Sequence, residues 1–339
     1  MRVLAVLVAL ASLAACRAPQ PAPSLSPMGP VSLIVAAVPL NASDQGQTAV
    51  GAFRYAGGIA ITSAQTSRLH GLSDLIIEPD GLGLHAVGDE GDTLDARLVL
   101  DTQGHLIGIS GAIMGRLTGV DGRLLVTKQH SDAEGLTRLG DGSRLVSLER
   151  DNHILRYVPG RRAPTLAPFP VGNLDENAGI EALAALPAAG PGAYLAGAEH
   201  GQIFLCRLTA GCALTRLPSA MRAGYGLTAL AALQGNGPPR LAILHRAWDP
   251  MQGSRATLNI VDLVGPFDAG LSAVPVAALT LDAPLTRDNF EGLTTVAMSN
   301  GDVRIYLITD DNFNRTQRTI LMAFDWTPLV LPVPAPSPA

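Results

Sequence analysis

Three glutamates occupy the same position in a pattern that recurs along the chain. Glu134, Glu181 and Glu291 each stand directly before a Gly-Leu or Ala-Leu step, and the matching positions of two further copies hold His70 and Tyr225. If the copies are equivalent structural units, the three carboxylates converge in space. Carboxylates that share a partly dehydrated site repel one another, so they either take up protons or bind a cation. Calcium is the expected cation, because it accepts about six to eight oxygen ligands of mixed kind.

Two alternatives to a metal site remain open at this stage. Each glutamate could instead hydrogen-bond backbone amides of neighbouring units and only hold the fold together. The run from Asp310 to Asn314 resembles the start of an EF-hand calcium loop. However, Arg315 stands where that loop needs glycine and Leu321 where it needs a closing acid. An Asx-rich turn is therefore the other interpretation of this run.

Each copy also carries a polar pair after its second apolar segment. We expect these pairs near the glutamates, or one layer further from the axis on which the glutamates converge. The pairs are Asp89-Glu90, Glu149-Arg150, Glu199-His200, His245-Arg246 and Asp310-Asp311.

The elements that would position these residues are short strands. The 36 glycines and 25 prolines favour strands joined by turns, and the copies begin at intervals of roughly 45 to 65 residues. The pattern predicts an all-β fold, a β-propeller in which the first strand of each blade lines a central channel. Two unassigned strands, in SLIVAAVPLN and AFRYAGGIAITS, favour six blades, with five or seven left open. A pair of β-sandwiches is the alternative architecture.

The N-terminus predicts export and a lipid anchor. Residues 1–15 read as a signal peptide, and Leu13-Ala14-Ala15-Cys16 resembles a lipobox, which predicts cleavage before Cys16 and acylation of that residue. A plain secretory signal is the alternative. Residues 16–30 form a Pro-rich tether, residues 31–330 the propeller and residues 331–339 a Pro-rich tail. Arg17 after the cysteine favours the outer membrane, facing the periplasm.

The two remaining cysteines lie in a strand-turn-strand pattern. Cys206 and Cys212 could face each other across a hairpin, and an oxidising compartment would permit a disulfide. Two buried free thiols are the alternative.

The net charge and the absence of certain motifs argue against several classes of function. The net charge of -5 and the absence of a basic run argue against a nucleic-acid partner. The chain contains no G-x-S-x-G nucleophile elbow and no phosphate-binding loop of the G-x-x-x-x-G-K type.

Several segments resemble the phytase-like family, whose domain is described as carrying the esterase-like activity of phytase. They are GLSDLIIEPDGLGLHAVGDEGD, DAEGLTRLGDGSRLVSLERDN, NAGIEALAAL, NFEGLTTV and YLITDDNFNRTQRTILMAF. The resemblance implies a β-propeller of exported bacterial proteins that hydrolyses phosphate esters or other esters. By position it implies the site residues Asp89, Glu90, Glu134, Glu149, Glu181, Glu291, Asp310 and Asp311, with Arg150 and Arg318 as cationic companions.

Two functional hypotheses follow. In the first, the protein is a calcium-dependent hydrolase of small phosphorylated or ester substrates, in which Glu134, Glu291 and Arg150 are catalytic. The metal ligands are then Glu134, Glu181, Glu291, Asp310 and Asp311, and the substrate-binding residues are Asp89, Glu90, Glu149 and Arg318. In the second, a non-catalytic propeller binds a partner or small ligand at the channel mouth, and any calcium is structural. The oligomeric state is left open.

Overall fold

The computed structural model describes residues 29–170, 179–217, 222–234 and 237–328 of the chain. The predicted signal peptide, Cys16 and the C-terminal tail lie outside the described residues. The last two residues of the predicted tether, Gly29 and Pro30, already pair with the propeller.

Four strands come first in the described chain. They are β1 (Gly29–Pro30), β2 (Ile34–Ala37), β3 (Ala49–Val50) and β4 (Phe53–Thr62). The first blade follows, with β5 (Leu72–Ile77), β6 (Gly83–Gly88), β7 (Asp92–Leu100) and β8 (Leu106–Arg116). After the helix α1 (Lys128–Ser131), the second blade contains β9 (Ala133–Arg138), β10 (Arg144–Leu148), β11 (His153–Tyr157) and β12 (Thr165–Ala167).

The remaining blades follow in chain order. The third consists of β13 (Ile180–Ala185), a 3₁₀ turn (Pro187–Ala189), β14 (Ala193–Ala198), β15 (Ile203–Arg207) and β16 (Gly211–Leu214). The fourth consists of β17 (Gly226–Leu233), β18 (Arg240–Asp249), β19 (Gly253–Val264) and β20 (Ser272–Leu281). The fifth begins with β21 (Phe290–Ala297), β22 (Val303–Thr309) and β23 (Ile320–Trp326).

The N-terminal strand β4 closes the ring. It pairs antiparallel with β23, from Ile320 opposite Ala60 to Trp326 opposite Phe53, and so becomes the fourth strand of the fifth blade. The first strands pack against one another in the order β5, β9, β13, β17 and β21, and β21 returns to β5. This pairing leaves no sheet edge exposed at the seam between the chain ends.

The propeller prediction is confirmed, and the described residues form five blades rather than the six that the sequence favoured. The difference arises because β4 completes the last blade, while β2 and β3 pair with β4 itself instead of starting a separate blade. Five was one of the two counts left open.

Apolar residues fill the wedges between neighbouring blades. One cluster, for example, packs Leu244 and Leu258 of the fourth blade against Leu307 and Phe324 of the fifth. Since each blade is covered on both faces, its inner strands are near-continuous apolar runs such as AYLAGA in β14. Among the described residues, no helix is long and apolar enough to cross a membrane.

The Gly-Leu step has a packing explanation. A Cβ on Gly135 would lie 2.9 Å from the backbone nitrogen of Leu183 on the next first strand, which is closer than real contacts allow. Asp74 of β5 links neighbouring first strands, because its carboxylate accepts the backbone N–H groups of Leu136 on β9 at 2.7 Å and Leu293 on β21 at 3.0 Å. Burial raises the pKa of Asp74 well above its usual range. The step therefore lets the first strands approach closely around the axis.

Cys206 and Cys212 face each other across β15 and β16. They are directly paired in the register of the two strands, and a disulfide joins them.

Candidate functional site at the channel mouth

The glutamates and the polar pairs lie at one mouth of the channel. In an antiparallel blade, the start of the first strand lies beside the end of the second. Ala133 is opposite Leu148 and the backbone N–H of Glu149 donates to the carbonyl of Asp132 at 2.8 Å, so Asp132 and Glu149 face each other beside Glu134. Phe290 is opposite Thr309 in the same way, which places the polar residues that follow β22 beside the start of β21. The repeat thus gathers residues that are distant in sequence around one end of the axis.

The tightest cluster combines Asp132, Glu134 and Glu149. One carboxylate oxygen from each lies within 4.8 Å of the other two, a separation that a single metal ion can span. Burial raises the pKa of Glu134 well above its usual range, and Glu181, Glu291, Asp132 and Glu149 raise it further by repulsion. Of these three residues, the sequence predicts Glu134 as a metal ligand and Glu149 as a substrate-binding residue, whereas Asp132 is not predicted.

The other two glutamates interact with the same cluster. Burial and then repulsion by Glu149, Glu199 and Glu291 raise the pKa of Glu181 well above its usual range. Burial also raises the pKa of Glu291, while the neighbouring Arg246 opposes the shift. The structure therefore brings the three repeat glutamates into mutual electrostatic contact at the mouth.

Asp310 interacts electrostatically with Glu291 and Asp89 at the mouth. Burial, followed by repulsion from Glu291, raises the pKa of Asp310 to about 8. Its Oδ1 accepts the backbone N–H of Asn312 at 2.7 Å, as in an Asx turn.

Asp311, which the sequence predicts as a metal ligand, forms a structural clasp through hydrogen bonds to both of its carboxylate oxygens. Oδ2 lies 2.7 Å from His70 Nδ1 and accepts the Thr319 hydroxyl at 3.0 Å. Oδ1 accepts the backbone N–H groups of Gly71 and Phe313, each at 3.2 Å. These contacts occupy both carboxylate oxygens and tie the β22–β23 connection to the first blade.

Three cations balance part of the negative charge. Arg246 Nη2 lies 3.2 Å from Glu291 Oε1. Lys128 Nζ lies 2.6 Å from both Asp89 Oδ2 and Asp132 Oδ1. The half-exposed Arg150 donates from Nε to Asp132 Oδ2 at 2.5 Å. A divalent ion at the cluster would therefore share Asp132 with Lys128 and Arg150.

The remaining predicted residues surround this centre. Burial raises the pKa of Asp89, whose second oxygen, Oδ1, is buried without a hydrogen-bond partner. Glu90 acts on Asp89 by repulsion. Glu149 lies against Gly179 of the next blade so closely that a Cβ there would be 2.1 Å from the Glu149 Cγ. Only glycine leaves room for that carboxylate at the mouth.

Arg318 lies further out, on a neighbouring cavity. Its Nε donates to Asp288 Oδ2 at 3.2 Å, and about half of its side chain is exposed. The cavity measures about 800 Å³ and adjoins the mouth through Arg246, which lines it as well.

Sequence reasoning missed Asp132, Asn289 and the role of Arg246. Asp132 and Asn289 each stand two residues before a repeat glutamate, in Asp-Ala-Glu-Gly and Asn-Phe-Glu-Gly. This shared spacing could have identified both residues as members of the site. Asn289 contacts both partners of an ion pair, because it donates to Glu291 Oε1 and accepts from Arg246 Nη1, each at 2.8 Å.

Several solved structures are similar to this chain at low sequence identity. One is the crystal structure of the RRP9 WD40 repeats, with 10% identity over 89% of this chain and 98% of that chain and a TM-score of 0.41. U3-55K shows 11% identity over 89% and 99% with a TM-score of 0.42. A protein assigned as a gluconolactonase shows 12% identity over 80% of each chain with a TM-score of 0.43.

No curated protein gives a significant match to the chain. The family model named Phytase-like, described as the esterase-like activity of phytase, matches residues 67–313. Since that match spans more than half of the chain, the protein belongs to the phytase-like family.

Proposed function

We propose that this protein is a calcium-dependent hydrolase of phosphate esters or related esters that acts at the acidic mouth of the propeller. The observation that carries the proposal is the cluster of Asp132, Glu134 and Glu149, whose carboxylate oxygens lie within 4.8 Å of one another. The family match supports the reaction class. The cation neighbours Arg150 and Lys128 support a site for an anionic substrate.

The residues at the mouth fit a calcium ion by their chemistry. Asp132, Glu134 and Glu149 offer hard carboxylate oxygens, which calcium prefers. Glu181 and Glu291 interact electrostatically with the same cluster, and Asp310 interacts with Glu291. When bound, calcium supplies positive charge that makes the electrostatic potential at the mouth positive and lets an anionic ester approach the carboxylates. Without that charge, the cluster would repel a phosphate.

The chain's own residues supply the remaining steps. Glu134 would hold the calcium ion as a carboxylate together with Asp132 and Glu149, and the positive charge of the ion would oppose the repulsion that raises the pKa of Glu134. Glu291 is held in place by Asn289 and Arg246, and it is the group positioned to accept a proton from an attacking water. Arg150 is anchored through Nε, so its terminal nitrogens can neutralise charge that develops on the phosphoryl oxygens.

The decisive assay offers the purified protein p-nitrophenyl phosphate, phytate and p-nitrophenyl acetate, each with added calcium and with a chelator. We expect chelator-sensitive turnover that Glu134→Gln and Glu291→Gln reduce by at least a hundredfold. Glu78→Gln is the matched control, because Glu78 pairs with Arg144 at the opposite end of the first strand. Equal turnover in Glu134→Gln and wild type would refute the proposal.

A non-catalytic binding propeller is the second candidate. This candidate is favoured by the hydrogen bonds of Asp311 to the first blade, because a carboxylate engaged in these bonds is less available as a metal ligand. Calcium that raises the melting temperature, with no turnover of any ester, would select this candidate.

We further propose that the protein is exported and anchored by lipid on Cys16, with the outer membrane and periplasm as its location. The disulfide between Cys206 and Cys212 supports an oxidising compartment. Mass spectrometry of the membrane-extracted protein would detect the acyl groups. A Cys16→Ser protein that remains in the membrane fraction to the same extent would refute the anchor.

A further inference from the structure

A cavity beside the channel mouth lies outside the acidic cluster. It measures about 800 Å³, within the range of small-molecule sites. The turn between β18 and β19 borders one side and the β22–β23 connection the other. The lining residues used below are Arg246, Trp248, Arg287, Asn312, Gln317 and Arg318. From this lining we infer that the cavity binds a phosphate monoester that carries a ring.

Three arginines line the cavity, and two of them, Arg287 and Arg318, keep N–H groups that an anion can use. Arg318 uses Nε for Asp288, and Arg287 uses Nη1 for Asp282 and for the carbonyl of Gln252. Among the described residues, the other N–H groups of these two guanidinium groups have no hydrogen-bond partner. Asp282 lies outside the lining, so it orients Arg287 from behind. Guanidinium groups with free N–H pairs bind phosphate oxygens through two parallel hydrogen bonds.

Trp248 supplies a surface for the ring. Its side chain is 62% exposed although it is large and apolar, and it forms part of the cavity wall. An exposed indole stacks on flat or ring-shaped organic groups. Free amides accompany it, because the side chains of Asn312 and Gln317 make no hydrogen bond to the described residues. These amides can bond the polar edge of a base or the hydroxyls of a sugar.

The backbone at Asn312 is strained in a way that fits a binding role. Asn312 and Phe313 have φ of 48° and 52°, the left-handed region that residues other than glycine rarely adopt. The Asx turn of Asp310 and the clasp of Asp311 hold them there. Strain of this kind persists where the surrounding structure fixes a loop, often at ligand sites.

Arg246 connects the cavity with the mouth. It lines the cavity and also pairs with Glu291 at 3.2 Å. Arg246 therefore joins the lining of the cavity to Glu291 at the channel mouth. The assignment of the phosphate monoester as a substrate rests on the proposed function, whereas its binding does not.

Isothermal titration calorimetry on the full-length protein tests the inference. The probes are inorganic phosphate, glucose 6-phosphate and adenosine monophosphate, with glucose and adenosine as unphosphorylated partners. We expect at least one of the two esters to bind at least tenfold more tightly than inorganic phosphate and than its own unphosphorylated partner. The ester that binds identifies the ring as a sugar or a nucleoside. Arg287→Gln and Trp248→Ala should each weaken this binding at least tenfold.

Arg123→Gln is the matched control, because Arg123 is 89% exposed and does not line the cavity. Melting temperatures of all variants show whether they fold, and Trp248→Ala keeps the test valid if Arg287→Gln is unstable. The inference is overturned if neither ester binds, if inorganic phosphate or the unphosphorylated compounds bind as tightly, or if the variants bind like wild type.

Turnover separates this inference from the proposed function. Esters that bind through Arg287 and Trp248 but are never hydrolysed would leave the binding site standing and refute the hydrolase. Esters that are hydrolysed with an unchanged KM in Arg287→Gln and Trp248→Ala would leave the hydrolase standing and refute this site.

Discussion

Arg246 Nη2 lies 3.2 Å from Glu291 Oε1 at the boundary between the fourth and fifth blades. The polar pair of the fourth copy, His245-Arg246, contains no acid, whereas the pair of each of the other four copies begins with one. Its arginine pairs with a glutamate of the next copy. The departure from the pattern gives the acidic mouth one of its cations.

Replacing Arg246 with glutamine should make the protein depend on calcium for stability. The change leaves Glu291 buried without its cation and costs about 3 kcal/mol of unfolding free energy. Calcium should restore most of that loss, because it supplies the missing positive charge. Urea unfolding with calcium and with chelator measures the effect.

Arg240→Gln is the control for that experiment. Arg240 is also largely buried on β18 and pairs with Asp262 at 2.6 Å, but it lies at the opposite end of the strand. Its loss of stability should be the same with and without calcium. Equal calcium rescue of both variants would contradict the account of Arg246.

Asp311→Ala should destabilise the fold by about 3 kcal/mol, because buried N–H and O–H donors lose their charged acceptor. Calcium should not reduce this loss, since Asp311 acts as a clasp and not as a ligand. Thermal melting with and without calcium provides the measurement. If calcium restored the full stability of Asp311→Ala, the account of Asp311 as a clasp would be contradicted.

Acid should destabilise the protein through His245. The ring is 2% exposed, neither of its nitrogens has a hydrogen-bond partner in the part of the chain that the structure describes, and burial lowers its pKa to about 4. The unfolded histidine takes up its proton below about pH 6.5. Between these values the unfolded state binds more protons, so the stabilisation is complete above pH 6.5 and is lost as the pH falls towards 4.

His245→Leu removes this contribution. Urea midpoints measured from pH 7 to pH 4 should fall less in His245→Leu than in wild type, by an amount equivalent to about 1–3 kcal/mol. His153→Leu, at an exposed position of β11, is the control. Parallel pH profiles for wild type and His245→Leu would show that the buried ring is not responsible.

Reduction of the Cys206–Cys212 bond should cost only about 2 kcal/mol, because the closed loop is short. The protein should therefore remain folded in dithiothreitol, with a lower melting temperature. A Cys206→Ser, Cys212→Ser double variant should melt at the temperature of the reduced wild type. Complete unfolding on reduction would mean that the bond contributes more than loop closure alone.

The sequence predicts the part of the site that repeats. Glu134, Glu181 and Glu291 share one position in the pattern, so a circular arrangement was enough to bring them together. Asp132 could have been found from its spacing to Glu134, which Asn289 and Glu291 share. The clasp made by Asp311 could not, because its partners His70 and Gly71 come from the first blade and meet it only when the ring closes.

The number of blades also depends on contacts between residues that are distant in sequence. The stretch AFRYAGGIAITS, which the repeat leaves unassigned, pairs with the last copy as β4. What local sequence does not reveal is that this strand completes a blade of three strands instead of beginning a new one. That outcome depends on pairing between residues from opposite ends of the chain, such as Phe53 and Trp326.

Calcium titration of Glu134→Gln by calorimetry tests the central claim most directly. Glu134 lies in the three-carboxylate cluster and interacts with the other two repeat glutamates. The account predicts saturable calcium binding in wild type and in the Glu78→Gln control, and at least a tenfold weaker binding in Glu134→Gln. Calcium binding that is absent in wild type, or unchanged in Glu134→Gln, would contradict it.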